Sequence, residues 1–175
     1  MSDYDRKLDD IVRSKLKEDY TSDYFFKPYT GDEAGIPDKY TMRDQFKLMK
    51  RVYHLDPDRI VKPLAMVSEG KSLRGFILEK IDGETLNEAR LKEHFCNYRY
   101  DIAGQLEETV QKMHERGFVH GDLHSGNVML TKSGIKLIDM IYVPKNHRSF
   151  AKYARYDDEH LYTIRRVVSS HKKGQ

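Results

Sequence analysis

The residues best equipped for chemistry sit close together in this chain. His120-Gly121-Asp122-Leu123-His124-Ser125-Gly126-Asn127 sets a carboxylate and a carboxamide five positions apart, and Ile138-Asp139-Met140 returns a second carboxylate seventeen positions after the first. Phosphoryl transfer from a nucleotide needs such a set. One carboxylate orients the accepting hydroxyl and takes its proton, while a carboxamide and another carboxylate hold Mg²⁺ against the phosphates. Asp122 and Asn127 share one loop and can face one ion; Asp139, at a strand end, presents its oxygens from a stiff support. The plainer alternative makes Asp122 and Asn127 turn residues that cap backbone groups, and the co-occurrence of His120, the five-residue gap and Asp139 weighs against it. Zinc chemistry finds no ligand set, because the single cysteine, Cys96, is remote and no H-E-x-x-H occurs.

These residues need elements to position them. Ile102, Leu106, Val110 and Met113 repeat at helical spacing within a predicted helix of about 99–116, with Gly117 to cap it. Strands are expected at 127–130 and 135–138, joined by Lys132-Ser133-Gly134. Upstream, Leu8, Ile11, Val12, Leu16 and Tyr20 predict an amphipathic helix over 1–20, and Tyr24 to Tyr29 reads as an aromatic strand stopped by Pro28. A loop with Gly31, Gly35 and Pro37 precedes a helix over 41–55, whose core face carries Met42, Phe46, Met49, Val52 and Tyr53. Ile60–Val67 and Gly75–Ile81 form a hairpin, Asp82-Gly83 a turn, and 85–95 a helix. Residues 142–156 read as a basic loop, and Asp157 as the opening of a last helix with Leu161, Ile164, Val167 and Val168 inside. A strand-rich first half is thus followed by a helical half.

With these elements in place, the chain resembles the protein-kinase-like superfamily. His120-Gly121-Asp122 through Asn127 is similar to its catalytic loop in the H-G-D-x-x-x-x-N form of small-molecule, lipopolysaccharide and atypical kinases, and Asp139 falls where the D-F-G aspartate belongs. The short C-terminal half is also similar to the minimal kinases that some bacterial pathogens deliver into host cells. The resemblance implies an α+β, bilobal kinase-like fold in a single domain, a β-rich N-lobe over 1–79 and a truncated helical C-lobe over 80–175, with ATP and Mg²⁺ in the cleft. It implies Asp122 as catalytic base and Asn127 and Asp139 as metal ligands. Leu78 to Ile81 would connect the lobes, with the Glu79 carbonyl and the Ile81 N–H reading adenine. Asp82 or Glu84 would take the ribose, and Met129 would form the adenine floor. Lys27 is the expected cation on the donor phosphates, with Lys62 as rival and Asp44 as its helix partner, one methylene shorter than the usual glutamate. His124 stands where protein kinases often keep a lysine. His120 is expected to pack beneath the loop, and Asp157 or Asp158 to brace its backbone.

Departures shape the functional expectation. No G-x-G-x-x-G precedes Lys27, Asp139-Met140-Ile141 lacks the glycine of a switchable segment, Gly121 replaces the arginine that reads a phosphorylated loop, and no A-P-E follows. The expectation is therefore a constitutive ATP/Mg²⁺-dependent phosphotransferase acting on a protein Ser/Thr hydroxyl. The alternatives are a sugar- or lipopolysaccharide-type small-molecule kinase and a catalytically weak, kinase-shaped binding module. Lys145, His147, Arg148, Lys152 and Arg155, interleaved with Phe150, Tyr153 and Tyr156, form a basic stretch: a solvated loop, or a substrate or nucleic-acid contact.

Composition sets outer bounds. Over 175 residues, 31 Lys plus Arg meet 28 Asp plus Glu for a net charge of +3, too small and too mixed to favour nucleic acid. Mean hydropathy is −0.77, but 12 Tyr and 7 Phe argue for a packed fold over disorder. One cysteine fits a reducing compartment. No apolar run reaches the ~18 residues of a span, and no signal-peptide core follows Met1. The expected location is the cytoplasm, with delivery into a host cell as an extension of the effector likeness.

Overall fold

The computed structural model describes residues 24–28, 42–69, 72–94, 98, 100–141 and 143–172. The helix expected over 1–20, the loop over 30–40 and Cys96 lie outside the described residues. The architecture is α+β, with four helices and three small sheets among the described residues.

The first sheet is antiparallel in the order β1-β3-β2, from β1 (Tyr24–Pro28), β2 (Pro63–Glu69) and β3 (Ser72–Glu79). Its register sets Lys27 opposite Phe76 and Phe25 opposite Leu78. Between β1 and β2 in the chain runs α1 (Met42–Tyr53), where Phe46, Met49 and Val52 recur at helical spacing and are buried. Phe46 stacks on Phe76 of β3 with ring centroids 5.6 Å apart, which fixes the helix to the sheet.

After β3 the chain forms β4 (Gly83–Thr85) and α2 (Leu86–Leu91). Thr85 and Glu88 make a reciprocal capping box, which explains the helix start. The long α3 (Ile102–Glu115) buries Ile102, Leu106, Thr109, Val110 and Met113, and Gly117, at φ +79°, ends it. β6 (Val128–Thr131) is the centre of a second sheet, β4-β6-β7, completed by β7 (Ile135–Leu137). The two-residue strands β5 (Phe118–Val119) and β8 (Val143–Pro144) pair with each other.

Two ties hold the α1–β2 connection to the second half of the chain. Ile60 forms a parallel bridge with Leu137, and Leu137 N–H donates to the Arg59 carbonyl at 2.8 Å. The buried Asp56 carboxylate accepts from Thr109 Oγ1 at 3.2 Å and from Lys112 Nζ at 3.3 Å, both on α3. One apolar core runs through both halves, from Phe46 and Val52 to Leu106, Leu123, Leu130 and Ile164.

One expectation needs correcting. The last helix, α4 (Phe150–Lys172), starts seven residues before Asp157, and the stretch read as a basic loop supplies its first two turns. No Gly or Pro interrupts 150–157, so nothing local stops the helix from reaching back to Ser149, whose carbonyl accepts from Tyr153 N–H at 3.1 Å. The helix over 85–95 is also shorter than expected, because Glu93 turns into the left-handed region at φ +57°.

Candidate active site

The loop between β5 and β6 is held from below by two side chains. Asp157 is fully buried, and its carboxylate accepts from His120 N–H at 2.8 Å, from Gly121 N–H at 2.9 Å and pairs with His114 Nε2 at 3.1 Å. Asp158, the other aspartate considered for this brace, is exposed. His120 is also fully buried, and burial pushes its imidazole below the ordinary 6.5. Its Nδ1 accepts from Asp122 N–H at 3.3 Å, so the neutral ring carries its proton on Nε2. Gly121 has φ +78°, and a β-carbon there would lie 2.8 Å from the Ile141 carbonyl oxygen. This close approach is the physical reason for glycine where the resemblance leads one to expect arginine.

On that support Asp122 and Asn127 meet. Asn127 Nδ2 donates to the Asp122 carbonyl at 2.8 Å and to Asp122 Oδ2 at 3.1 Å. Both amide protons are thereby used, which leaves the Asn127 Oδ1 as the end available to a hard cation. The Asp122 carboxylate remains about two-fifths exposed, so an acceptor can reach it. His124 Nδ1 accepts from Gly126 N–H at 3.0 Å, which turns its Nε2 toward Asp122 Oδ2 at 3.8 Å.

Asp139 follows β7, and its neighbour Ile138 is tied to the loop. Ile138 N–H donates to the Asn127 carbonyl at 3.1 Å, locking the two segments side by side. Asp139 itself adopts φ +55°, a left-handed conformation that Asp tolerates better than most residues and that clusters at functional positions. Its Oδ1 lies 3.2 Å from Lys27 Nζ, which reaches across from β1. Oxygen donors from a carboxylate and a carboxamide suit Mg²⁺, a hard ion that keeps several waters. The donor chemistry therefore fits that ion.

A cavity of about 330 Å³ adjoins this cluster. Its walls are Phe25, Val61, Leu78, Glu79, Lys80, Ile81, Met129, Ile138 and Asp139, a mostly apolar lining with three charged members. Comparison with protein families gives a match over residues 65–171 to the family described as Lipopolysaccharide core biosynthesis protein (WaaY). That span is more than half of the chain. This chain belongs to the WaaY family. A search of curated proteins finds no match.

In this WaaY-family chain, then, Lys27 pairs with Asp139, which lines the cavity together with Glu79, Ile81 and Met129, and Asp122 pairs with Asn127, whose carbonyl accepts from the N–H of the lining residue Ile138. Glu84 is not among the lining residues. Burial raises its carboxyl, but hydrogen bonds from Tyr98, His94 and Lys92 outweigh that and hold it below the ordinary range, on the far side of β4. Asp82 is almost fully exposed and lies 3.8 Å from Lys132. Asp44 lies 3.6 Å from Lys47 on its own helix, while Lys27 pairs with Asp139. Lys62 also stands apart from the lining, and its N–H donates to Glu79 Oε1 at 2.8 Å. That same oxygen is held by Lys136 Nζ of β7 at 2.5 Å, so the Glu79 carboxylate is engaged by two donors from within the chain.

Sequence reasoning missed Phe25, Val61 and Ile138 in the cavity wall. Two of them carried a signal. Phe25 is two residues from Lys27 on one strand, hence on the same face, and Ile138 directly precedes Asp139. Val61 carried none, since its place depends on the bridge between Ile60 and Leu137.

Proposed function

We propose that this chain is an ATP- and Mg²⁺-dependent kinase that phosphorylates a sugar hydroxyl of the lipopolysaccharide core, within a single bilobal kinase-like domain. Among the acceptors weighed from the sequence, membership of a lipopolysaccharide core biosynthesis family favours the lipopolysaccharide-type alcohol over a protein Ser/Thr hydroxyl, and lends no support to the effector-kinase likeness. The bilobal reading rests on the β1-β3-β2 sheet with α1 on one side, the 79–82 connection beside the cavity, and the α3-centred half beyond it.

The observation that carries the proposal is the 3.2 Å pair between Lys27 of β1 and Asp139 of the opposite half, at the mouth of a cavity of nucleotide-base dimensions and beside the coupled Asp122–Asn127 pair. The base would enter between Val61 and Leu78 above and Met129 and Ile138 below, its polar edge toward the 79–81 backbone. Lys27 would bind the donor phosphates. Asn127 and Asp139 would hold Mg²⁺, which when bound offsets charge on the phosphates. Asp122 would accept the proton of the acceptor hydroxyl as its oxygen bonds to the γ-phosphorus, while the bond from that phosphorus to the bridging oxygen of ADP breaks. Asn127 positions Asp122 for this by holding one of its two carboxylate oxygens.

The test is transfer of labelled γ-phosphate from ATP to isolated core oligosaccharide and, in parallel, to a generic protein acceptor. Label is expected in the saccharide, and its loss in Asp122→Asn. Equal background from wild type and Asp122→Asn on both acceptors would overturn the proposal.

A further inference from the structure

Charge is mixed along most of the chain but not between the second catalytic carboxylate and the brace. From Met140 to Tyr156 there is no Asp or Glu, while Lys145, Arg148, Lys152 and Arg155 all fall there. The structure puts this cationic stretch against the catalytic loop. A β-carbon on Gly121 would stand 3.5 Å from the Tyr153 ring, and Asp157, one turn later, holds the His120 and Gly121 amides. Tyr156 lies between these two anchors in the chain and is half-buried, its ring 4.2 Å from that of His160. Burial, followed by the charges of Asp122 and Asp157, pushes its phenol upward, so it remains a hydrogen-bond donor. Lys152 is four residues before Tyr156, on the same helix face, and is exposed. Arg155 is engaged by Glu159 at 2.9 Å, which leaves Lys152 as the better placed cation of the two.

We propose that the first two turns of α4 are the acceptor subsite, in which Tyr156 donates to the sugar and Lys152 binds an anionic group carried beside the hydroxyl that faces Asp122. This rests on the kinase reading and adds the acceptor class: a saccharide that is already negatively charged, through phosphate or carboxylate. A solvated basic face would need neither the approach of Tyr153 to Gly121 nor a half-buried Tyr156 between Tyr153 and the Asp157 brace.

The experiment measures steady-state kinetics of wild type, Lys152→Glu, Tyr156→Phe and Arg166→Glu with core oligosaccharide that is intact, stripped of phosphate, or carboxyl-reduced. Arg166 is exposed on α4 and fourteen residues beyond Lys152, about 21 Å at 1.5 Å per residue, so it controls for net charge. Lys152→Glu is expected to raise the KM for intact acceptor by about tenfold or more, as loss of a charge-assisted contact does. Tyr156→Phe should raise it by about threefold to tenfold, the span of an ordinary hydrogen bond. Neither change should move the KM for ATP more than about twofold, and Arg166→Glu should match wild type. Whichever stripped preparation raises the wild-type KM to the Lys152→Glu level identifies the anion. Wild-type behaviour of Lys152→Glu, or no difference among the three preparations, overturns the inference. Binding of intact oligosaccharide to protein loaded with a nonhydrolysable ATP analogue is read alongside. Lys152-dependent binding without turnover supports the subsite while sinking the kinase reading, and absence of binding to wild type overturns the subsite.

Discussion

Lys27 on β1 and Asp139 after β7 form an ion pair of 3.2 Å that joins the two halves of the molecule at the mouth of its cavity. Both side chains stay partly exposed, 32% and 42%, so solvent screens the pair and its share of stability is small, about 1 kcal/mol or less. Its importance lies in placement, since it holds a cation where donor phosphates would arrive. Lys27→Met is therefore expected to lower phosphate transfer by about a hundredfold or more while shifting the urea midpoint very little. Turnover and unfolding measured on the same preparation check this, and retained turnover would remove Lys27 from the site.

Gly121 makes a prediction of the opposite kind, a structural cost at a catalytic loop. A side chain there must accept φ +78° and a contact of 2.8 Å with the Ile141 carbonyl. The left-handed conformation costs about 1–2 kcal/mol and the forced overlap a further ~1–3. Gly121→Ala should thus lose about 2–5 kcal/mol in urea unfolding, and transfer should fall because Asp122 is the next residue. A change under about 0.5 kcal/mol would show that the loop relaxes freely and that the close approach is not a constraint.

The path of the 120–127 loop and the elements beside it were legible because their signals are local. α3 shows its stripe at helical spacing and closes on Gly117, and the loop carries its residues within eight positions. What stayed hidden depends on distant partners. β5 and β8 have two residues each and exist through pairing Phe118 with Pro144, so no periodicity announces them. The early start of α4 was hidden for a more informative reason. Its first turns present Tyr153 and Asp157, not an apolar stripe, to the loop at His120 and Gly121. The partners of Glu84 were hidden as well, since Lys92, His94 and Tyr98, which hold its carboxylate, lie eight to fourteen residues on.

Met129 tests the cavity itself. It is half-buried on β6 and borders an open volume of about 330 Å³, so a larger side chain can extend into that space without crowding the core behind it. Met129→Trp is expected to weaken ATP binding by about tenfold or more and to leave the thermal midpoint equal or higher. A nucleotide titration by calorimetry reads the first quantity and a thermal melt the second. Unchanged ATP affinity would place the base elsewhere.

His120 predicts how the site responds to acid. Burial holds its imidazole below 6.5, so the native state stays neutral where the unfolded chain takes up a proton. Stability rises with pH wherever the unfolded state binds more protons. This contribution is complete above pH 6.5 and drains away as pH falls toward the native value, by at most about 1.4 kcal/mol per unit. The neutral ring also accepts from Asp122 N–H through Nδ1, and that acceptor is lost only once the native ring itself takes up a proton, at a pH below 6.5. Urea midpoints between pH 8 and 5 should therefore decline below 6.5, and phosphate transfer by the folded protein should hold until the native ring titrates at lower pH. His120→Gln, less stable overall, should lose the decline. A wild-type midpoint that stays level from pH 7 to 5 would show that the buried imidazole is not the proton-linked group, and that any acid loss of transfer arises at another residue.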